Sequence, residues 1–191
     1  MGSLMRSQED YLTDLVSRAC KGDKGAYGKI FRICYKDVYD YIMRRVDNRN
    51  DAEDITMQVF TLGLKAIPSF EERGQSIKAW LYRIAHNAIV SHFRKQKDLL
   101  WIDDAPDIPD AIDIADKAMR LEIADELYRE ITSLPPAQAE VLILRFIAER
   151  SPAETAMILD KKEATVRALQ FKGLRNLKKK MQGPDGNGLI R

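Results

Sequence analysis

The chain has 191 residues, 45% of them hydrophobic and 31% charged, a composition that excludes a disordered chain and accommodates one medium domain or two small ones. Its 31 basic and 29 acidic residues leave a formal charge of only +2, so nucleic-acid binding has to be read from where the charges fall and not from their sum. Only Cys20 and Cys34 are present, which excludes a disulfide framework or a four-cysteine zinc site and fits a reducing cytosol.

Apolar residues recur at intervals of three and four with almost no β-branched alternation, which predicts an all-α fold. In chain order, Leu12, Leu15, Val16 and Ala19 form one amphipathic stripe; Tyr27, Ile30, Phe31, Cys34, Val38, Tyr41 and Ile42 form a longer one. The pattern breaks at Asn48 to Asp51. Asp51 is expected to cap a third helix with Asp54 in its first turn, where carboxylates suit the helix dipole, and Pro68 ends it. After the polar loop Ser69 to Ser76, a fourth helix carries the stripe Ile77, Trp80, Leu81, Ile84, Ala85 and Ala88. From Arg73 to Lys97 this region holds Arg73, Lys78, Arg83, Arg94, Lys95 and Lys97 without one acid, beside Trp80, Tyr82, His86, Asn87 and His92. Cations interleaved with rings and amides suit single-stranded nucleic acid; a solvated basic helix with its aromatics in the core is the alternative.

From Asp98 to Asp116 the chain carries Asp98, Asp103, Asp104, Asp107, Asp110, Asp113 and Asp116, with Pro106 and Pro109 and no Lys or Arg. That stretch reads as an acidic linker between two helical halves. Beyond it, helices are expected over roughly Met119 to Ser133 and Pro136 to Ala148, and then a tighter pair. Ser151, Pro152 and Glu154 compose a capping box with proline at the first helical position, Asp160 to Lys162 suffice for a turn, and Val166, Leu169, Gly173, Leu174 and Leu177 line a second helix. This is a helix-turn-helix layout. Lys161, Lys162, Arg167, Lys172, Arg175, Lys178, Lys179 and Lys180 face the single acid Glu163 across this helix, a balance that favours phosphate. A helical hairpin with a basic tail binding protein or RNA is the alternative. Arg167, Gln170 and Lys172 lie off the apolar stripe near the helix start, where side chains reach base edges, and the lysine run is placed for phosphates.

Taken together, DAEDITMQVF (51–60), AWLYRIAHNAIVSHFRKQK (79–97) and LPPAQAEVLILRF with SPAETAMILDKKEATVRALQFKGLRNLKK (134–179) resemble the bacterial extracytoplasmic-function sigma factors of the sigma-70 family, in the family's order and spacing. The resemblance implies a region-2-like domain over 8–97, an acidic linker over 98–115, a region-4-like helix-turn-helix domain over 116–182 and a flexible tail over 183–191. It implies core RNA polymerase contacts at Asp51, Glu53, Asp54, Gln58 and Phe60, the last either as an anchor or as core packing. It assigns the melted −10 element of promoter DNA to Phe70, Glu71, Arg73, Arg83, His86, Asn87, Arg94, Lys95 and Lys97, and the −35 duplex to Lys162, Thr165, Arg167, Gln170, Lys172 and Arg175. Extruding a base costs a few kcal/mol, and stacking in a pocket returns about 1–3 kcal/mol per base. Trp80, on the apolar stripe, is read as core rather than stacker. An anti-sigma factor is a further partner the resemblance implies. Ser91 departs from the acid common in the family, and Lys161 from the usual apolar turn residue.

A conventional helix-turn-helix regulator is the alternative function. An enzyme is not expected: no glycine-rich phosphate loop, HExxH pair or nucleophile constellation is present, and His86 and His92 fall on different helical faces. No catalytic residue, metal or cofactor is assigned. No apolar run reaches the roughly 18 to 20 residues of a membrane span and the start has no hydrophobic signal core, so a cytoplasmic protein without membrane insertion is expected.

Overall fold

A computed structural model describes residues 2–46, 48–71, 76–100 and 120–182. Among the described residues every regular element is helical: α1 (Gly2–Cys20), α2 (Lys24–Met43), α3 (Arg49–Ala66), α4 (Ile77–Leu100), α5 (Arg120–Thr132), α6 (Pro136–Leu142), α7 (Pro152–Ile158) and α8 (Glu163–Gln182). A 3₁₀ turn over Ile67–Ser69 follows α3, and a π turn over Ile143–Ile147 continues α6. The all-α expectation holds, and the chain divides into two compact units, Met1–Trp101 and Ile102–Arg191. Most of the acidic stretch, from 101 to 119, and the tail 183–191 lie outside the described residues. α4 continues past Lys97 to Leu100, because Asp98, Leu99 and Leu100 carry no breaker and the next proline along the chain is Pro106.

In the first unit α2 packs against α1, α3 and α4, and α3 against α4. The apolar stripes converge there: Leu15, Ile30, Ile42, Val59 and Leu81 are fully buried, each contributing about 1.5–3 kcal/mol by leaving water. Gly22, at φ +94°, turns the chain between α1 and α2. Asp23 caps α2 by accepting from the Ala26 N–H at 2.9 Å, and Arg18 donates to its Oδ2 at 2.7 Å. That backbone hydrogen bond, reinforced by Arg18, holds the Asp23 carboxyl below the usual carboxylate value. The Tyr27 hydroxyl crosses from α2 to donate to the Phe60 carbonyl at 2.7 Å, and Gly63 leaves room for it.

The second unit surrounds a cluster of Tyr128, Ile131, Leu134, Ala139, Leu142, Ile143 and Leu177. The helix expected from Pro136 to Ala148 is α6 to Leu142 and then the π turn. An amphipathic helix buries one stripe, whereas Val141, Leu142, Ile143 and Leu144 are all buried in succession. The wider turn, with the Ala148 N–H on the Ile143 carbonyl at 2.9 Å, accompanies that run. Gly173 of α8 lies against α6: a Cβ there would stand 3.1 Å from Leu142 Cδ1.

Candidate nucleic-acid and partner interfaces

At the start of α3 the cap is Asn48 and not Asp51: the Asn48 side chain accepts from the Asp51 N–H at 2.8 Å. Asp51 therefore stands in the first turn, where Oδ2 accepts from Asn48 Nδ2 at 2.8 Å and lies 3.5 Å from His92 Nε2 on α4. Glu53 is paired with Arg49 at 2.7 Å. Asp54 and Gln58 are exposed, and Asp54 makes no ion pair among the described residues. Phe60, expected as a partner contact, is 3% exposed and packs edge-on against Phe31 with centroids 4.7 Å apart. It belongs to the core because position 60 falls on the buried side of α3 with Ile55, Thr56, Val59 and Gly63.

Between α3 and α4 runs a groove of about 460 Å³ lined by Gln58, Leu62, Lys65, Trp80, Ile84 and Asn87, among others. Trp80 was expected in the core; it is half-buried and forms part of the groove wall. Phe70, expected to line a base pocket, is 8% exposed and lies behind Trp80, with ring centroids 5.1 Å apart. The loop returns it inward because the Phe70 N–H closes the 3₁₀ turn on the Ile67 carbonyl at 3.0 Å. Glu71 is exposed, and Arg73 lies outside the described residues.

Arg83, Asn87 and Arg94 are exposed and, at helical spacing, share one line along α4, so Asn87 joins this basic line to the edge of the groove. Lys95 is exposed, flanking it, while His86 is half-buried and off it; of Lys97 only the helical backbone is described. Lys78 is not one of the unopposed charges: it meets Asp37 of α2 at 2.8 Å.

In the second unit the Ser151 hydroxyl accepts from the Glu154 N–H at 3.1 Å, and Glu154 accepts from the Ser151 N–H at 2.9 Å, completing the capping box. α7 ends at Ile158, Asp160 takes φ +51°, and the Lys161 N–H bonds the Ala156 carbonyl at 2.9 Å. Lys161 is exposed, so its charge stays in water and the turn closes through backbone. On α8, Lys162 just before it and Thr165, Lys172 and Arg175 along it are exposed. Arg167 is exposed and paired within the helix to Glu163, Nε to Oε1 at 3.0 Å. Gln170 is half-buried, and its Oε1 accepts from Arg145 Nε at 3.0 Å. Lys180, expected to meet phosphate, reaches back to the Ser133 hydroxyl at 2.6 Å. Sequence reasoning passed over Phe171, which is 70% exposed between Gln170 and Lys172; the available signal was an aromatic ring off the apolar stripe of a basic helix.

One unit thus presents acids on α3 and a basic line beside a groove, and the other a helix-turn-helix with a basic second helix. These features define a two-part helical protein whose second part is a helix-turn-helix unit. The model of Sigma-70 region 2 matches residues 30–98 and that of Sigma-70 region 4 residues 131–179. The chain is 31% identical over 170 residues to the ECF RNA polymerase sigma factor BldN of Streptomyces coelicolor, covering 87% of this chain and 64% of that protein. It is 32% identical over 157 residues to the ECF sigma factor SigX of Bacillus subtilis, covering 78% of this chain and 79% of that one. Two solved structures share the fold: CnrH in complex with the cytosolic domain of CnrY (20% identity, TM-score 0.63, covering 86% of this chain and 92% of CnrH), and the sigma factor RpoE with the anti-sigma factor NepR from Bartonella quintana (19%, 0.64, covering 83% of this chain and 98% of RpoE). The chain belongs to the ECF RNA polymerase sigma factors of the sigma-70 family, which are transcription initiation factors and not enzymes. No helix among the described residues is long and apolar enough to cross a membrane.

Proposed function

We propose that this chain binds core RNA polymerase through the exposed side of α3, holds the unpaired strand of a −10 element at the α3–α4 groove, and reads a −35 duplex with α8. The observation that carries the reading is the continuity of Arg83, Asn87 and Arg94 with a groove walled by Trp80 and Ile84. Cations along one edge hold phosphates while an apolar wall receives a base, the combination single-stranded binding requires. On α3 the contacts fall to Asp54 and Gln58, since Asp51 and Glu53 are already engaged within the unit. On α8, Lys162, Thr165, Arg167, Lys172 and Arg175 face the duplex, and the Phe171 ring offers apolar contact to thymine methyls.

An anti-sigma factor competing for the α3 surface is the second partner, supported by the complexes of CnrH with CnrY and of RpoE with NepR. Both proposed partners support a cytoplasmic location. The test is transcription from a genomic promoter library by core polymerase with and without the chain. A discrete set of start sites is expected only with it, reduced by Asp54→Ala and by Lys172→Ala. Specific binding to duplex DNA with no new start sites would favour a conventional regulator instead.

A further inference from the structure

Among the described residues, the first half of α8 makes one side-chain hydrogen bond to the rest of its unit, to the π turn and not to α7. Arg145, in the π turn, donates from Nε to Gln170 Oε1 at 3.0 Å and from Nη1 to the Arg150 carbonyl. Arg150 in turn donates to the Ala148 carbonyl at 2.7 Å and pairs with Glu154, whose carboxylate closes the capping box of α7. Arg150 and Glu154 are mostly buried, with 15% and 18% of their side chains exposed, so this is not a solvated surface pair. A continuous polar strap therefore runs from the middle of α8, through the side chains of Arg145 and Arg150, to the first turn of α7. It spans both helices of the helix-turn-helix independently of the Asp160 turn.

The geometry points to Arg145 as a positioning residue for duplex recognition: through Gln170 it fixes the rotation of α8 about its axis, without itself touching DNA. The inference rests on the reading of α8 given above. Two features support it. Gln170 is half-buried and one of the two acceptor positions of its carbonyl oxygen is taken by Arg145, so a bidentate pairing with adenine has to turn the amide away from that partner, which makes it a poor base reader. Arg145 presents a planar fork to two acceptors at once, an arrangement lysine does not reproduce. A small rotation of α8 moves Thr165, Lys172 and Arg175 together relative to the groove, so the strap acts on every contact at once.

The test uses the full chain bound to core polymerase and, as probe, the duplex that the wild-type complex enriches from a randomised pool. Affinity is measured over a salt series for Arg145→Ala, Gln170→Ala, the near-isosteric Gln170→Met and the Arg145→Ala/Gln170→Ala double variant, with melting checked for each. Each single variant is expected to weaken binding about tenfold, the size of a lost charge-assisted hydrogen bond. The double variant is expected to be no weaker than either single one. The slope of log affinity against log salt is expected to stay at the wild-type value, and base preference to stay unchanged. If Arg145→Ala cuts that slope by about one, Arg145 is a phosphate contact and the inference falls. Additive losses overturn it, as does relaxed preference at one base in Gln170→Met alone. Should Arg145→Ala fail to fold, Gln170→Met carries the decision: unchanged affinity overturns the inference. If the wild-type complex enriches no duplex, the −35 reading fails and the inference with it; enrichment with additive variants refutes the inference alone.

Discussion

Replacing Gly63 by alanine sets a helix preference against a collision, and the structure decides the sign. In a helix interior alanine is favoured over glycine by about 1 kcal/mol. At this position, however, the new methyl lands on the Tyr27 hydroxyl and approaches Leu81 Cδ2 at 3.4 Å. The hydroxyl has nowhere to go: Tyr27 is buried and donates to the Phe60 carbonyl at 2.7 Å, and burial pushes its phenol well above the ordinary tyrosine value, so it remains the donor. Overpacking costs about 1–3 kcal/mol, and displacing a buried hydroxyl from its partner costs about 1–3 more. Against a gain of about 1, Gly63→Ala is expected to lose about 1–5 kcal/mol. Urea unfolding followed by tryptophan fluorescence reads this, since Trp80 belongs to the first unit. Tyr27→Phe supplies the control. It removes the obstructing oxygen at a cost of about 0.5–1.5 kcal/mol, and in that background Gly63→Ala is expected to be neutral or stabilising by up to about 1 kcal/mol. Gly63→Ala alone matching or exceeding wild-type stability would refute the reasoning.

Ser151→Ala removes half of the capping box and is expected to cost about 1 kcal/mol, read as a lowered melting temperature of the second unit. Gly173→Ala meets the fully buried Leu142 and is expected to lose about 1 kcal/mol net and to weaken duplex binding, both restored by trimming Leu142 to valine. Asp51→Ala is expected to destabilise the first unit by about 0.5–1 kcal/mol through its lost Asn48 contact. Asp54→Ala is expected to leave urea unfolding within about 0.5 kcal/mol while weakening pull-down of core polymerase about fivefold or more. Asp23 is depressed in the folded state, so its contribution is present above the ordinary value of 3.8 and lost as pH falls through the lower folded value. Asp23→Asn is therefore expected to flatten the acid limb of stability below about pH 4, and an unchanged limb would remove Asp23 from that role.

The helices and the capping box follow from periodicity and end signals, because those depend on residues three or four apart, and the two-part division was read from the acidic run with Pro106 and Pro109. The α3 start went astray by a few positions: Asn48 and Asp51 are both good caps, and the choice between them falls to Asn48, whose side chain meets the Asp51 N–H. The π turn was invisible because Val141, Leu142, Ile143 and Leu144 read equally as a buried helix; only packing, of α6 against α8 and of the π turn against α7, distinguishes the two. Phe60, Phe70 and Trp80 show the same limit. An aromatic residue near a functional motif looks alike whether it faces core or solvent, and its neighbours across the unit decide: Phe31 covers Phe60, while Trp80 covers Phe70 and is itself left at the groove.

Charge is where residue type and residue role diverge furthest. A partner can be met only by groups whose pairing within the fold is incomplete, since breaking an existing pair subtracts from whatever the new contact contributes. Lys78 is tied to Asp37, Glu53 to Arg49, Gln170 to Arg145 and Lys180 to Ser133. Removing these from the candidate surfaces narrows each: α3 keeps Asp54 and Gln58, α4 keeps the line of Arg83, Asn87 and Arg94, and α8 keeps Lys162, Thr165, Lys172 and Arg175 with the Phe171 ring, Arg167 meeting the duplex by giving up its exposed pair with Glu163. None of these ties is local enough to be read from spacing except Arg49 to Glu53, at i and i+4. The others join residues brought together by packing, so the sequence states which charges exist and the fold states which of them are free to bind.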